Sequence, residues 1–553
     1  MQYRKRYLMW ALLVSALNVN AQAQAATTPP TCVDPWAAFV YPATTGTSTV
    51  TPLSDASRFL NMASFGANGQ DINHLSKMTI AQWLDEQFAM KAACHLAFLN
   101  ETQNNNDRNN RIEVWFRLAV TAPDQLRQRV AFALSELFVV SDVGSSIPAN
   151  ALAVYYDILI KNAFGNFRDL LQEVTLSPAM GRYLSMLGNQ RANKATGIRA
   201  DENYAREIMQ LFTIGLTELD TTGVALLQNK LPIATYNQTD VENLARVFTG
   251  WTWGDSYNFT DGDDWRINMK AFPSYHDRAN KTIINQTLIP ANAKPETDLT
   301  LALNTLFKHP NVGPFVSRRL IQRLVTSNPS PEYIGRVAAV FNNNGQGVRG
   351  DLKAVIKAIL LDTEALTGSK ANKNFGKLRE PLLVVTHLWR AFNGQSIEGT
   401  LPYYYPEGKI NQAPLSSPSV FNFFTPDYAT SGYMASNKLV APEFQLVNEA
   451  NNTRFYNELY GLIQYGNNFN SYADPHNIQI DIKPLVKRAN SPADLVSYLN
   501  LLLTNGKMST DMQGVLKTYI HNVTASTRAQ RDLKRSVDAL YLVMSSPYYL
   551  IQR

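Results

Sequence analysis

The sequence predicts an all-α protein: one large multi-helix domain with long irregular loops and at most short hairpins. Three observations lead there. Apolar residues recur at helical spacing through most of the chain beyond Asp55, several of these stretches open on a capping residue followed by proline, and no internal repeat or strand–helix alternation interrupts them.

The chain opens with Arg4, Lys5 and Arg6, runs apolar from residue 8 to 17, and then shows Ala21-Gln22-Ala23, repeated as Ala23-Gln24-Ala25. Charge, short apolar core and small-residue site in that order read as a secretory signal peptide over residues 1–25. The apolar run falls well short of the roughly twenty residues that cross a bilayer, so no transmembrane anchor is expected. The protein is expected to be exported, to the periplasm or the exterior. Losing the three cations of the leader lowers the formal charge from +6 to +3. That leaves no strong positive field for nucleic acid, and Lys and Arg nowhere alternate with aromatics in a run, so nucleic acid is set aside as a partner.

Cys32 and Cys94 are the only cysteines. In an oxidising compartment a disulfide between them is the economical arrangement. It would close a loop of about sixty residues, contributing ~4 kcal/mol in the chain-entropy model; two buried thiols are the alternative. Residues 26–53, rich in Thr, Pro and Ala, read as an extended arm, and residues 54–553 as a single helical domain.

Within that domain residues 125–140 carry Leu126, Val130, Leu134, Leu137 and Phe138 along one helical face, and 151–163 repeat the spacing. Helical segments follow over 311–325, 331–341, 351–361 and 378–392, then 493–503, 511–523 and 531–544. Ser330 before Pro331 and Ser491 before Pro492 each place a capping hydroxyl ahead of a proline at the first helical position. Three long loops, 250–294, 397–436 and 465–481, interrupt the pattern, and loops of that length in a helical domain are where function concentrates.

The segment Asp201-Glu202-Asn203-Tyr204-Ala205-Arg206-Glu207 opens a helix that Asp201 caps and Gly215 stops. Its apolar arc runs through Tyr204, Ile208, Leu211 and Phe212 and puts Glu207 on the edge, where a carboxylate must be paired, hydrogen-bonded or neutralised. Two roles fit Glu207: an anchor for an arginine or backbone group in the core, or a functional acid. Asn203 lies one turn above it, and Glu202 and Arg206 form an outward pair. Thr239 and Glu242 spell a capping box for the next helix, whose Arg246 is a candidate inward partner of Glu207.

His276 and Asp277, with Lys281 four residues on, stand in the first long loop. An adjacent His and Asp can orient a proton transfer and a nearby lysine can stabilise an anion; equally, the three can tie the loop together. With one His and no second ligand in register, no metal site is expected, and Asp255, Asp261, Asp263 and Asp264 miss the calcium-loop spacing. Gly345, Gly347 and Gly350 form G-x-G-x-x-G, but a helix precedes them, so they read as a helix-to-helix turn with Asp351 as cap. Serine-hydrolase, zincin and P-loop motifs are missing from the sequence. Tyr403, Tyr404, Tyr405, Phe421, Phe423, Phe424 and Tyr428 make the second loop aromatic, fit either to stack on sugars or a partner protein, or to pack back on the core.

The signature from Asp201 to Glu207, with Leu211-Phe212-Thr213-Ile214-Gly215, resembles the N-E-N-[FY]-A-R-E signature of the domain-of-unknown-function eighteen-hundred family of large exported bacterial proteins. The likeness extends to Ala245-Arg246-Val247-Phe248-Thr249-Gly250-Trp251, to His276-Asp277 with Lys281, to His309-Pro310-Asn311-Val312, and to Ser416-Ser417-Pro418-Ser419-Val420-Phe421-Asn422-Phe423-Phe424. Asp201 stands where the family usually has Asn, and Ala279 where a glycine often follows His-Asp. The family carries no established activity or cofactor. The resemblance implies a functional partner in an exported alkaline-phosphatase-like or sulfatase-like protein encoded nearby.

The expected function is acid–base catalysis on an envelope or extracellular polymer such as a polysaccharide. Glu207, His276 and Asp277 are the catalytic candidates, and Asn203, Arg206, Arg246 and Lys281 the ligand-binding ones. The alternative is a non-catalytic binding or assembly protein. The sharpest geometric expectation is that Glu207 faces Arg246, with His276 and Asp277 lining the same polar pocket.

Overall fold

A computed structural model describes residues 50–102, 104–468 and 474–553. The signal peptide, most of the extended arm and Cys32 lie outside the described residues; Cys94 is buried just ahead of the short helix His95–Leu99. Helix makes up 53% of the described residues, and each sheet among them is a pair of short antiparallel strands, so the fold is all-α. Two of those pairs, Trp251–Thr252 with Lys270–Ala271 and Lys281–Ile283 with Thr287–Ile289, sit in the first long loop.

One apolar cluster runs from Ala56 to Tyr549, and a small satellite gathers around Phe98, Val114 and Leu118. The ends of the described chain close on each other. From the helix Leu53–Ala63, Ser57 donates to the Leu501 carbonyl (2.8 Å) and Asn61 to Asn505 (2.7 Å), and Lys377–Leu378 pairs with Ile551–Gln552. Such contacts between residues distant in sequence join the helices into one packed body.

Helix starts follow the caps closely. Ser330 accepts the Tyr333 amide at 3.1 Å and Ser491 the Asp494 amide at 3.3 Å, each with proline in the first turn. Asp351 caps the helix Leu352–Leu361, and Gly345, Gly347 and Gly350 all adopt positive φ in the turn before it. Asp201 accepts the Asn203 amide at 2.8 Å, one residue ahead of the N-cap position taken by Glu202.

One cap differs from the sequence reading. The helix Gln238–Val247 starts from Asn237, whose side chain accepts the Asp240 amide while Asp240 accepts the Asn237 amide at 2.9 Å. That reciprocal box places Thr239 inside the first turn and releases Glu242 from capping. The signature helix also changes character: α-helical over Asn203–Glu207, it widens to a π-helix over Ile208–Thr213. Gly215, at φ +71°, ends it by donating to the Met209 carbonyl. Asn311 holds that end, donating to the Ile214 and Thr217 carbonyls and accepting the Leu219 amide.

Candidate functional site

Arg246, His276, Asp277 and Lys281 do come together, around a residue the sequence reading missed. The helix carrying Arg246 ends at Thr249-Gly250, and Gly250, at φ +82°, lets the loop pass so close that a Cβ there would stand 2.8 Å from the His276 nitrogen. Only glycine fits both demands. His276 is 0% exposed. Its Nδ1 meets the Thr249 carbonyl at 2.8 Å and its Nε2 meets Asp298 Oδ2 at 3.0 Å. Lys281, equally enclosed, donates from Nζ to Asp298 Oδ2 (2.7 Å) and to the Asp277 carbonyl (2.6 Å). Arg246 grips Asp277 with two bonds, Nε to Oδ2 at 3.1 Å and Nη2 to Oδ1 at 2.9 Å.

Burial works to raise both carboxyls, but the bonds from His276 and Lys281 hold Asp298 below the ordinary range, and those from Arg246 do the same for Asp277. Ala279, where a glycine would ease the turn, has its amide taken by Asp277 at 3.0 Å. Asp255 similarly accepts the amides of Asp263 and Asp264, and Asp264 clasps Arg266, so those aspartates shape the hairpin turn. In the His276 cluster both ring nitrogens, Lys281 Nζ and Asp298 Oδ2 are used by their neighbours, while the buried Asp298 Oδ1 has no hydrogen-bond partner among the described residues; a carboxylate held by two buried donors in this way is the chemistry of a loop fastening.

Glu207 is not part of it. The expected Glu207–Arg246 pair does not form, because Arg246 is taken by Asp277, Asn243 and the Asn280 carbonyl. Glu207 is 7% exposed, and its Oε2 has no hydrogen-bond partner among the described residues. Burial raises its carboxyl, and the charge on Arg206 does not offset the rise. Asn203 is exposed at the start of the helix, and Arg206 pairs outward with Glu202 at 3.1 Å. Tyr183 and Tyr236 stand within the field of Glu207: burial first, then the Glu207 carboxylate, raises both phenols. Tyr236 also reaches Gln210 at 3.5 Å, one turn beyond Glu207, and Tyr183 bonds to Ser417.

Beyond Gln210 opens a cleft of about 530 Å³, counted with the solvent at its mouth. Gln210 and Leu211 from the π-helical turn form one wall; Glu136, Arg319, Arg323, Phe315 and Phe421 complete it. Arg319 lies over Phe315 and bonds to the exposed Asp427 at 3.2 Å, and Arg323 lies 4.4 Å over the buried Phe424 ring. Asn422 donates to Glu136 Oε1 at 3.1 Å, while Arg323 Nε stays 3.7 Å from Oε2.

Behind the cleft the carboxyls of Glu136 and Glu380 act on each other. Two carboxyls so placed favour a proton on one of them. Burial, reinforced by Glu380 against the pull of Arg323, pushes Glu136 up to about 8. Glu380, against burial, is held low by Lys377, itself 3.0 Å from Glu443. Sequence reading missed Glu136, Glu380, Arg319 and Arg323. The available signal was charge inside apolar helical stripes, Glu136 beside Leu137 and Phe138, and Arg319 four residues before Arg323.

The aromatic loop divides its rings. Tyr403 is fully buried, bonded to Glu458 at 2.9 Å and edge-on to Phe116 and Trp389, and Phe424 is buried under Arg323. Tyr404, Tyr405, Phe421 and Tyr433 are exposed.

The profile of a family described as a protein of unknown function (DUF1800) matches residues 58–551. The chain belongs to the DUF1800 family. No curated protein and no solved structure matches it. In this DUF1800 chain the segments quoted for the resemblance have distinct physical tasks. Asp201–Gly215 carries Glu207 and, one turn on, the cleft-lining Gln210 and Leu211, and His309–Val312 ties down that helix end through Asn311. Ala245–Trp251 with His276, Asp277 and Lys281 fastens the long loop. Ser416–Phe424 delivers Ser417 to Tyr183, Asn422 to Glu136, and Phe421 and Phe424 to the cleft.

Proposed function

We propose that this is an exported acid–base enzyme acting on an envelope or extracellular polymer, with Glu207 as the group that transfers the proton. The observation that carries the reading is the Glu207 carboxyl itself, buried, without a hydrogen-bond partner at Oε2 and raised by desolvation. Burial favours the protonated form of such a group, and its Oε2 has no structural bond to lose when the proton leaves. Around it stand two tyrosines, and beside it a cleft with two arginines for negative charge and the exposed face of Phe421 for a sugar ring. His276 and Asp277 serve this chemistry as positioning residues that hold the loop.

Export follows from the leader. The Cys32–Cys94 disulfide belongs to the same proposal: labelling the denatured exported protein without reductant should find no reactive thiol, and two reactive thiols would refute the bridge.

The test of catalysis is Glu207→Gln, assayed by product sizing on a panel of neutral and acidic envelope glycans. The variant should lose about 10²-fold or more of the cleavage rate while unfolding at nearly the same temperature. Wild-type turnover by the variant would end the assignment. A second reading, a binding or assembly protein working with an exported phosphatase-like or sulfatase-like partner, is favoured by the exposed Tyr404, Tyr405, Phe421 and Tyr433. Under it, changes to those rings would abolish partner capture and Glu207→Gln would not.

A further inference from the structure

Outside the cleft, the segment between Tyr183 and the signature helix carries an unusual charge. Arg182, Arg191, Lys194 and Arg199 lie in a stretch, residues 174–200, that contains no Asp or Glu. The rest of the exported chain is close to neutral, so this concentration is local and not a by-product of overall basicity. All four side chains are exposed and none makes an ion pair among the described residues. Arg182 and Arg199 line an open polar recess of about 860 Å³ together with Ser185, Asn189, Gln190 and Asp201.

The loop that presents these cations is held in shape. Asn193 bonds to the Ile198 carbonyl at 2.9 Å, and Asn189 and Asp201 clasp each other, the Asp201 amide donating to Asn189 Oδ1 at 2.9 Å. Backbone bonds from Gly188 to Trp251, from Gly250 to Asn189 and from Arg191 to Tyr275 stitch it to the loop that His276 and Asp298 fasten. That gives the fastening a purpose: it fixes a cationic surface. Four exposed cations on one segment with no carboxylate among them attract an anionic partner.

We infer that this recess, with Arg182 and Arg199 in its lining and Arg191 and Lys194 on the same segment, binds an acidic glycan, a chain bearing carboxylate, sulfate or phosphate groups. The inference rests on the polymer reading above and narrows its substrate class. Arginine's planar fork matches such oxyanions, and Ser185 and Gln190 supply the hydroxyl-directed bonds a sugar requires. Residues 184–200 contain no aromatic ring, so the surface lacks the stacking platform that single-stranded nucleic acid uses. The recess also lies next to the chemistry. Arg182 lines it while its chain neighbour Tyr183 reaches Ser417 and the field of Glu207, and Asp201 on its rim begins the signature helix.

The experiment is equilibrium binding of the exported full chain to alginate, to dextran sulfate and to neutral dextran, at low and at physiological salt. Alginate and dextran sulfate separate carboxylate from sulfate recognition. Acidic chains should bind at least tenfold tighter than dextran, and the preference should shrink as salt rises. Arg182→Gln with Arg199→Gln should cost tenfold or more in affinity for the acidic chains, and Arg191→Gln with Lys194→Gln should flatten the salt dependence. Glu207→Gln should bind as wild type, so loss of catalysis and loss of recognition are read separately. Equal affinity for dextran, unchanged binding by both double variants, or preference for anionic phospholipid vesicles or oligonucleotides over alginate would each overturn the inference. Matching thermal midpoints keep a folding defect from standing in for lost recognition.

Discussion

The fastening around Asp298 and the helix turn around Glu207 each bury a carboxyl and end in opposite states. At Asp298, histidine, lysine and carboxylate satisfy one another inside the protein and hold the carboxyl low. At Glu207 the carboxyl is nearly as deep; each of the two leaves one buried oxygen unpartnered, but Asp298 is bonded through the other to His276 and Lys281, whereas burial raises Glu207. A carboxylate gripped by buried donors stabilises the fold, and one without such donors is available for chemistry. Residue type does not separate the two cases; the partner does.

The largest effect that would break this comparison is on stability. Asp298→Ala leaves the His276 ring and the Lys281 ammonium buried without their counter-charge, and should cost about 3–5 kcal/mol in denaturant unfolding. Because Asp298 and Asp277 are held below the ordinary carboxylate range, their contribution is complete above that range and is lost as pH falls through their folded values. Wild type should therefore lose stability on acidification, and Asp298→Ala should show a shallower acid limb. A variant as stable as wild type would mean that the cluster is not a fastening.

Next in size is the behaviour of Glu136. A carboxyl raised in the folded state contributes fully below its unfolded value, near 4.5, and that contribution declines as pH rises towards about 8. Between those values wild type should lose stability with a slope approaching ~1.4 kcal/mol per pH unit. Glu136→Gln keeps an acceptor for Asn422 and a donor for Glu380, and should remove most of that slope. Parallel pH profiles for the two proteins would show that no proton is shared there.

The smallest expected change is the most diagnostic. Glu207→Gln replaces a carboxyl with no partner at Oε2 by an amide of the same shape and should move the unfolding free energy by less than about 1 kcal/mol. A loss of several kcal/mol would put Glu207 with Asp298, as an anchor.

Much of the architecture was legible because local physics wrote it. Ser330-Pro331, Ser491-Pro492 and Asp351 start helices where they stand, since a cap needs only the amides of the next turn. Thr239 misled because Asn237, two residues earlier, closes an equivalent box with Asp240, and local pattern alone does not rank two competing caps. The Glu207 edge position was legible from helical periodicity. Its lack of a partner was not, because Arg246 had a stronger claim from Asp277, which arrives from thirty-one positions along the chain.

By itself, then, the sequence determined the helical class, the caps, the kinship carried by the signature segments and the burial of Glu207, because periodicity and capping act within one or two turns. The tertiary structure alone decided that His276 closes on Asp298, that Glu136 meets Glu380 across 244 positions, and that Gln210, Arg319 and Phe421 share a cleft. Those pairings depend on which elements pack together, and packing is settled by the whole core at once.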